Sequence, residues 1–238
     1  MSKQDDFSFN GLRVAVTGGT SGLGLALVER LHRGGASVVF IARDASRVRA
    51  LAARLPGTHG IVGDVADKAR IHGLALQVTA ALGGLDVLVN NASTLGPERL
   101  VPLADTECED FEAALQTNVL GPFRLTKALL GALASSARQG RAATVLNISS
   151  DAGVNAYATW GVYGASKAAL AHMSRIWDEE MREHGVRFLA LDPGDMDTPM
   201  HAQALPDADR ASLKRPAAAA EELLARVVWA EANSEVIA

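Results

Sequence analysis

Short apolar runs recur along this chain, separated by longer stretches in which apolar residues return every three or four positions. The runs cover 12–17 (LRVAVT), 37–42 (SVVFIA), 59–65 (HGIVGDV), 85–91 (LDVLVNN), 142–149 (AATVLNIS) and 186–192 (VRFLALD). Their continuous apolar character predicts strands covered on both faces. The periodic stretches predict helices over 23–35, 45–55, 67–82, 107–137, 160–184 and 217–232. Gly34-Gly35 stops the first helix and Pro56-Gly57 the second, and Gly121-Pro122 is expected to bend or break the fourth.

Strand and helix alternate throughout, which predicts an α/β fold. The expected architecture is a doubly wound parallel sheet of six to seven strands with helices on both faces. No linker, repeat or shift of composition divides the 238 residues, so one domain over 1–238 is expected. Residues 195–216 are polar and bounded by prolines, and read as a lid. Sheets of this kind bind ligands at the carboxyl ends of their strands, where the winding reverses.

Composition narrows the function classes. Hydrophobic residues make up 48% and charged residues 21%, as in ordinary globular proteins. The net charge is −4 and the basic residues are scattered, so nucleic acid is a poor partner. The first ten residues lack the apolar core of a signal peptide, and no run of apolar residues is long enough to span a bilayer. The single cysteine, Cys108, excludes an internal disulfide and suits a reducing cytoplasm. Its neighbours Glu107 and Glu109 argue against an activated thiolate. The six histidines lack metal-ligand spacing, and the Asp195/Asp197 pair reads as solvated, so no metal is expected; His201 is a possible pocket residue.

Two patterns carry candidate chemistry. Glycines at 18, 22 and 24 stand between the first strand and the first helix. There they permit a tight turn, let backbone amides approach a pyrophosphate, and let the helix pack close to the sheet. Farther on, Tyr163 and Lys167 lie four residues apart, one turn along one helix face. A fixed ammonium beside a phenol is expected to lower the phenol pKa toward neutrality, as proton transfer near pH 7 requires.

The glycine turn is spaced T-G-x-x-x-G-x-G, and Thr17 to Gly24, including Thr20, Ser21 and Leu23, resembles the cofactor turn of the short-chain dehydrogenases/reductases. Further motifs follow in that family's order: Asp64 and Val65 after the third strand, Asn91, Ala92 and Ser93 in NNAS, and Asn118 in TNVLG. After these come Ser150, thirteen residues before Tyr163, then Tyr163/Lys167, and finally Pro193, Gly194, Met196 and Thr198 in PGDMDT. The resemblance spans roughly residues 10 to 230 and implies a Rossmann-like sheet binding a nicotinamide cofactor. It implies Tyr163 as general acid/base and Lys167 as the residue that tunes it and holds the nicotinamide ribose. Ser150 would stabilise the substrate oxygen, and Asn118 would hold a water on a proton path.

Cofactor subtype turns on the end of the second strand. Ala42 stands where NAD-preferring members carry an aspartate, and Arg43 follows, with Arg47 one turn on. A guanidinium there suits a 2′-phosphate, so NADP(H) is expected over NAD(H), with Asp44 as the counterargument. The implied reaction is hydride transfer between nicotinamide and a small carbonyl or alcohol. Ser150, Ala152, Tyr157, Trp160, Tyr163 and Met200 are expected to line the substrate pocket, with Asp151, Asp192 and Asp195 making its mouth acidic. Two alternatives remain: a noncatalytic NADP(H)-binding sensor, and a pteridine carbonyl reductase, because Trp160 and PGDMDTPM are similar to sepiapterin reductases. The chain ends SEVIA, where a seventh strand is expected to be short or absent. That removes an edge used in the family's tetramers and leaves a homodimer through 107–137 and 162–184 as the expected assembly.

Overall fold

The computed structural model describes residues 8–232. Six strands, β1 (Arg13–Thr17), β2 (Ser37–Ala42), β3 (His59–Val62), β4 (Val87–Asn90), β5 (Thr144–Ile148) and β6 (Arg187–Leu191), form one parallel sheet. Their order is β3-β2-β1-β4-β5-β6. The winding therefore reverses between β1 and β4. Among the described residues eight α-helices accompany them: α1 (Gly22–Arg33), α2 (Ala45–Arg54), α3 (Ile71–Leu82), α4 (Cys108–Leu115), α5 (Gly121–Arg138), α6 (Gly161–Met181), α7 (Pro199–Ala204) and α8 (Pro216–Ala232).

Successive side chains of a strand point to opposite faces, so a strand apolar at every position serves two cores. Val14 and Val16 of β1, Val38 and Phe40 of β2, and Leu146 and Ile148 of β5 enter one core. There they meet Leu23, Leu27 and Leu31 of α1 and Leu223, Leu224 and Val227 of α8. Ala15, Val39, Ile41, Leu88 and Val145 enter the other, against Leu74 and Val78 of α3 and Leu125, Leu129 and Leu133 of α5. The leucines of α1 and of α5 repeat every four residues, which keeps each set on one helix face.

Several boundaries differ from the sequence reading, and local hydrogen bonding explains two of them. The third strand stops at Val62, short of 65, because the Asp64 carboxylate accepts from Ala66 N at 2.9 Å and turns the chain. The third helix begins at Ile71, not 67, because Asp67 makes the same kind of turn to Ala69 N. Gly121-Pro122 does not break the fourth helical stretch. A π-helical turn at Gln116–Leu120 precedes it, and Gly121 and Pro122 open α5, where a proline costs no helical hydrogen bond. Within 195–216, α7 and a 3-10 turn at Arg210–Ser212 are tied back by a bridge between Met196 and Lys214. The first residues of the chain and the segment that raised the question of a seventh strand lie outside the described residues. Among the described residues, no helix is long and apolar enough to cross a membrane.

A buried charge cluster fixes the amino ends of the strands. Asp86, fully buried, accepts from Arg13 N, Nε and Nη2 and from Arg141 Nε and Nη2. These donors hold its carboxyl well below the usual carboxylate range despite burial. The cluster joins β1, the start of β4 and the loop before β5, at the end of the sheet remote from the cavity described next.

Candidate active site

A cavity of about 580 Å³ runs across the carboxyl ends of the strands at the β1/β4 reversal. Every residue expected to touch cofactor or substrate lines it, except Thr17 and Gly24. These two, with Asn118, stand behind its wall.

The buried Thr17 Oγ1 accepts from Asn91 N and Ala92 N, both at 3.0 Å, and so ties the end of β1 to the chain leaving β4. Gly18 has φ +68°, the left-handed region that suits glycine. Gly24 lets α1 pack tightly: a Cβ there would lie 2.2 Å from Gly18 O. The amino end of α1 consequently faces the cavity, with Ser21, Gly22 and Leu23 on its wall.

At the end of β2, Ala42 is buried while Arg43 and Arg47 are exposed on the cavity rim. Arg43 makes no hydrogen bond or ion pair among the described residues. Asp44 is occupied: it caps α2 by accepting from Ser46 N at 2.8 Å and Arg47 N at 3.0 Å. These bonds lower its pKa, the Ser46 hydroxyl contributing most.

The opposite wall comes from β5 and α6. Tyr163 is 9% exposed and Lys167 is 2% exposed. Lys167 Nζ donates to Ile148 O at 2.7 Å and lies 5.4 Å from the centre of the Tyr163 ring. The expected lowering of the phenol pKa is not what this geometry produces. Burial pushes Tyr163 up to about 12; Asp192 and Asp151 add to the rise, and the Ser150 and Ser93 hydroxyls oppose it. Burial likewise draws Lys167 down to about 8, with Asp192 opposing. The cation sits over the ring face and points at a carbonyl, so it does not outweigh desolvation of the phenolate.

Asn118 occupies the π-helical turn and is buried. Its amide donates to Thr94 O at 2.8 Å and Ser166 Oγ at 2.9 Å; its oxygen accepts from Thr94 N at 2.9 Å and Ser93 Oγ at 3.1 Å. Ser166 Oγ in turn donates to Tyr163 O at 2.7 Å. The Asn118 side chain therefore clamps the Ser93-Thr94 segment to the turn of α6 that carries Tyr163. It does not reach into the cavity.

Ser150 Oγ accepts from Ala152 N at 3.2 Å and donates to Asp151 Oδ1 at 3.3 Å. Tyr157 Oη donates to Asp151 Oδ2 at 2.7 Å, which raises the Tyr157 pKa. Leu95, Ala152 and Tyr163 form a small apolar cluster, with Trp160, Met200 and Ala204 packed on it. Thr198 lines the cavity and also caps α7, its hydroxyl accepting from His201 N at 3.2 Å. His201 lines the cavity as well. Among the described residues, no group of three or more acidic, histidine or cysteine side chains is placed to hold a metal ion.

Sequence reasoning missed Thr117, which also lines the cavity. It carries no local signal: an ordinary small residue, it is brought in by the π-helical turn. Asp192 has a signal in its charge at the end of β6. The sequence marks it only as part of an acidic mouth, whereas the structure brings it close enough to act on both Tyr163 and Lys167.

The family model for short chain dehydrogenase matches residues 13–209. L-fucose dehydrogenase of Mus musculus is 34% identical over 192 residues, 81% of this chain and 68% of that protein. A short chain dehydrogenase of Shigella flexneri, solved in complex with NADP, superposes with a TM-score of 0.84 at 28% identity, covering 96% of this chain and 93% of that one. A 3-ketoacyl-(acyl-carrier-protein) reductase from Brucella melitensis, solved with NADH, gives a TM-score of 0.85 over 91% of each chain at 23% identity, a likeness of fold alone. The chain belongs to the short-chain dehydrogenase family. It is an oxidoreductase of alcohol and carbonyl groups that works with a nicotinamide cofactor.

Proposed function

We propose that this short-chain dehydrogenase is an NADP(H)-dependent carbonyl reductase or alcohol dehydrogenase, with Tyr163 as its proton-transferring group. One observation carries the reading. Tyr163, Lys167 and Ser150 share one wall of a cavity whose far end is the glycine turn before α1. The residues fit a dinucleotide: side chains are absent where the turn folds back on Asn91, and a helix amino end faces the space a pyrophosphate would take.

The cofactor supplies or accepts the hydride. The chain supplies position and the proton. Ser150 Oγ stands beside the phenol and donates to the substrate oxygen, where negative charge develops. Tyr163 Oη gives its proton to that oxygen in reduction. A phenol held protonated, as burial holds this one, is the form that step needs. Lys167, anchored on Ile148 O, places a cation where it stabilises the phenolate left behind. In oxidation the same groups act in reverse.

Arg43 supports the phosphate-bearing cofactor, because its guanidinium has no partner among the described residues while the Asp44 carboxylate is spent on capping α2. Asp151, Asp192 and Asp195 favour a neutral, hydroxyl-rich substrate over one carrying carboxylate or phosphate. The names of the relatives point the same way, toward sugars and cyclic diols.

The test is oxidation of NADPH or reduction of NADP by a panel of small ketones and polyols. Tyr163→Phe should keep cofactor affinity and lose at least about a hundredfold in kcat. Arg43→Ala should weaken NADPH binding about tenfold or more and leave NADH unchanged. Tight NADPH binding with no turnover of any panel member would overturn the enzymatic reading in favour of a sensor.

A further inference from the structure

Behind the substrate end of the cavity lies a second, more open one. It is lined by the 98–100 loop, by Thr159 and Trp160, and by residues 203–206. Three residues line both spaces: Trp160, Ala204 and Leu205. Of these, Ala204 is small and Leu205 is 43% exposed. Trp160 is the bulkiest of the three, and it borders both spaces.

Two features hold the indole in that place. Its ring meets the Tyr163 ring edge-on, with centroids 5.8 Å apart and planes at 67°. Its packing partners are the apolar cluster of Leu95, Ala152 and Tyr163. The backbone leading into it is strained: Thr159 has φ +71°, the one left-handed non-glycine residue among the described residues. Strain of this kind persists only where the surroundings over-determine it, and it gathers at functional sites. Across the second cavity, Gln203 Nε2 at the end of α7 donates to Glu98 O at 3.1 Å. That bond ties α7 to the 98–100 loop.

We infer that Trp160 is the specificity-determining partition of the substrate site: it ends the pocket behind Tyr163 and excludes substrates whose substituent would extend into the space beyond. The wild-type protein is therefore selective for short substrates. Replacing the indole with a small side chain joins the two spaces into one channel between α7 and the 98–100 loop. The outer space carries Glu98, Arg99 and Gln203 beside Leu100, Leu205 and Pro206, so it receives an extended chain bearing polar groups as well as hydrocarbon. The inference rests on the substrate end assigned above and adds to it the feature that limits substrate length.

The experiment compares a short-chain with a long-chain vicinal diol, and the matching hydroxyketones, as substrates of wild type, Trp160→Ala and Trp160→Phe. The ratio of kcat/KM for long over short should rise about tenfold or more in Trp160→Ala, the scale on which pocket size discriminates, and less in Trp160→Phe. Trp160→Phe keeps an aromatic ring on the cluster and secures the result if the alanine variant folds poorly. Calorimetric titration with a short and a long alkanol gives the same ratio without turnover. An unreactive panel would therefore sink the assigned reaction while the titration still decides the partition. Equal long-to-short ratios in wild type and in the folded variants, by whichever readout reports binding, would overturn the inference.

Discussion

Lys167 is expected to cost the protein stability, and its replacement by methionine measures the cost. The ammonium is 2% exposed, and burial holds its pKa at about 8 against an ordinary 10.5. A base whose folded pKa is depressed destabilises the fold whenever it must be buried with its proton on. The penalty is fullest below pH 8 and fades as pH rises toward 10.5. That depression corresponds to about 3 kcal/mol near neutrality. Methionine fills a similar volume without charge but leaves Ile148 O without its 2.7 Å donor, a loss of about 1 kcal/mol. Lys167→Met should therefore be about 2 kcal/mol more stable than wild type at pH 7, and the gap should close near pH 10. Urea denaturation of both proteins at several pH values between 7 and 10, followed by circular dichroism, reads the difference directly. A variant less stable than wild type at pH 7, or a gap that does not shrink with rising pH, would refute the argument that desolvation dominates this lysine. The same variant should lose turnover, which makes the residue an instance of function held at the expense of stability.

Two further outcomes follow from the geometry and a third from the family resemblance. Gly24→Ala should destabilise the fold and weaken cofactor binding together, because its Cβ would meet Gly18 O, a backbone atom that cannot swing aside; thermal melts and NADPH titration check both. Asp86→Ala should cost about 3 kcal/mol in denaturant unfolding, because it strips both guanidiniums of a buried partner, and it should leave the KM for substrate near wild type, since the cluster lies at the opposite end of the strands. We propose, from the family resemblance, assembly as a homodimer through the helices of 107–137 and 162–184; sedimentation showing a monomer at micromolar concentration would exclude it.

The strands and their burial on both faces were readable from the chain itself. An apolar run such as VAV or VVFI has no polar position to turn toward water, so it must lie inside a sheet covered twice. The order of motifs likewise placed Gly18, Ser150, Tyr163 and Lys167 at strand ends and helix starts, because glycines before a helix and a tyrosine–lysine pair one turn apart are local patterns. Tertiary structure alone decided what those groups feel. The spacing put an ammonium near a phenol. The surroundings determined that burial would outweigh it, and that the ammonium would be spent on Ile148 O. The same holds for Asn118, whose four hydrogen bonds reach Ser93, Thr94 and Ser166. It holds also for Trp160, whose place between two cavities depends on loops nearly sixty residues apart in sequence on one side and a helix forty residues on at the other. Periodicity records which face of an element is buried. Desolvation and long-range hydrogen bonds depend on what other segments bring to that face, and no local pattern records them.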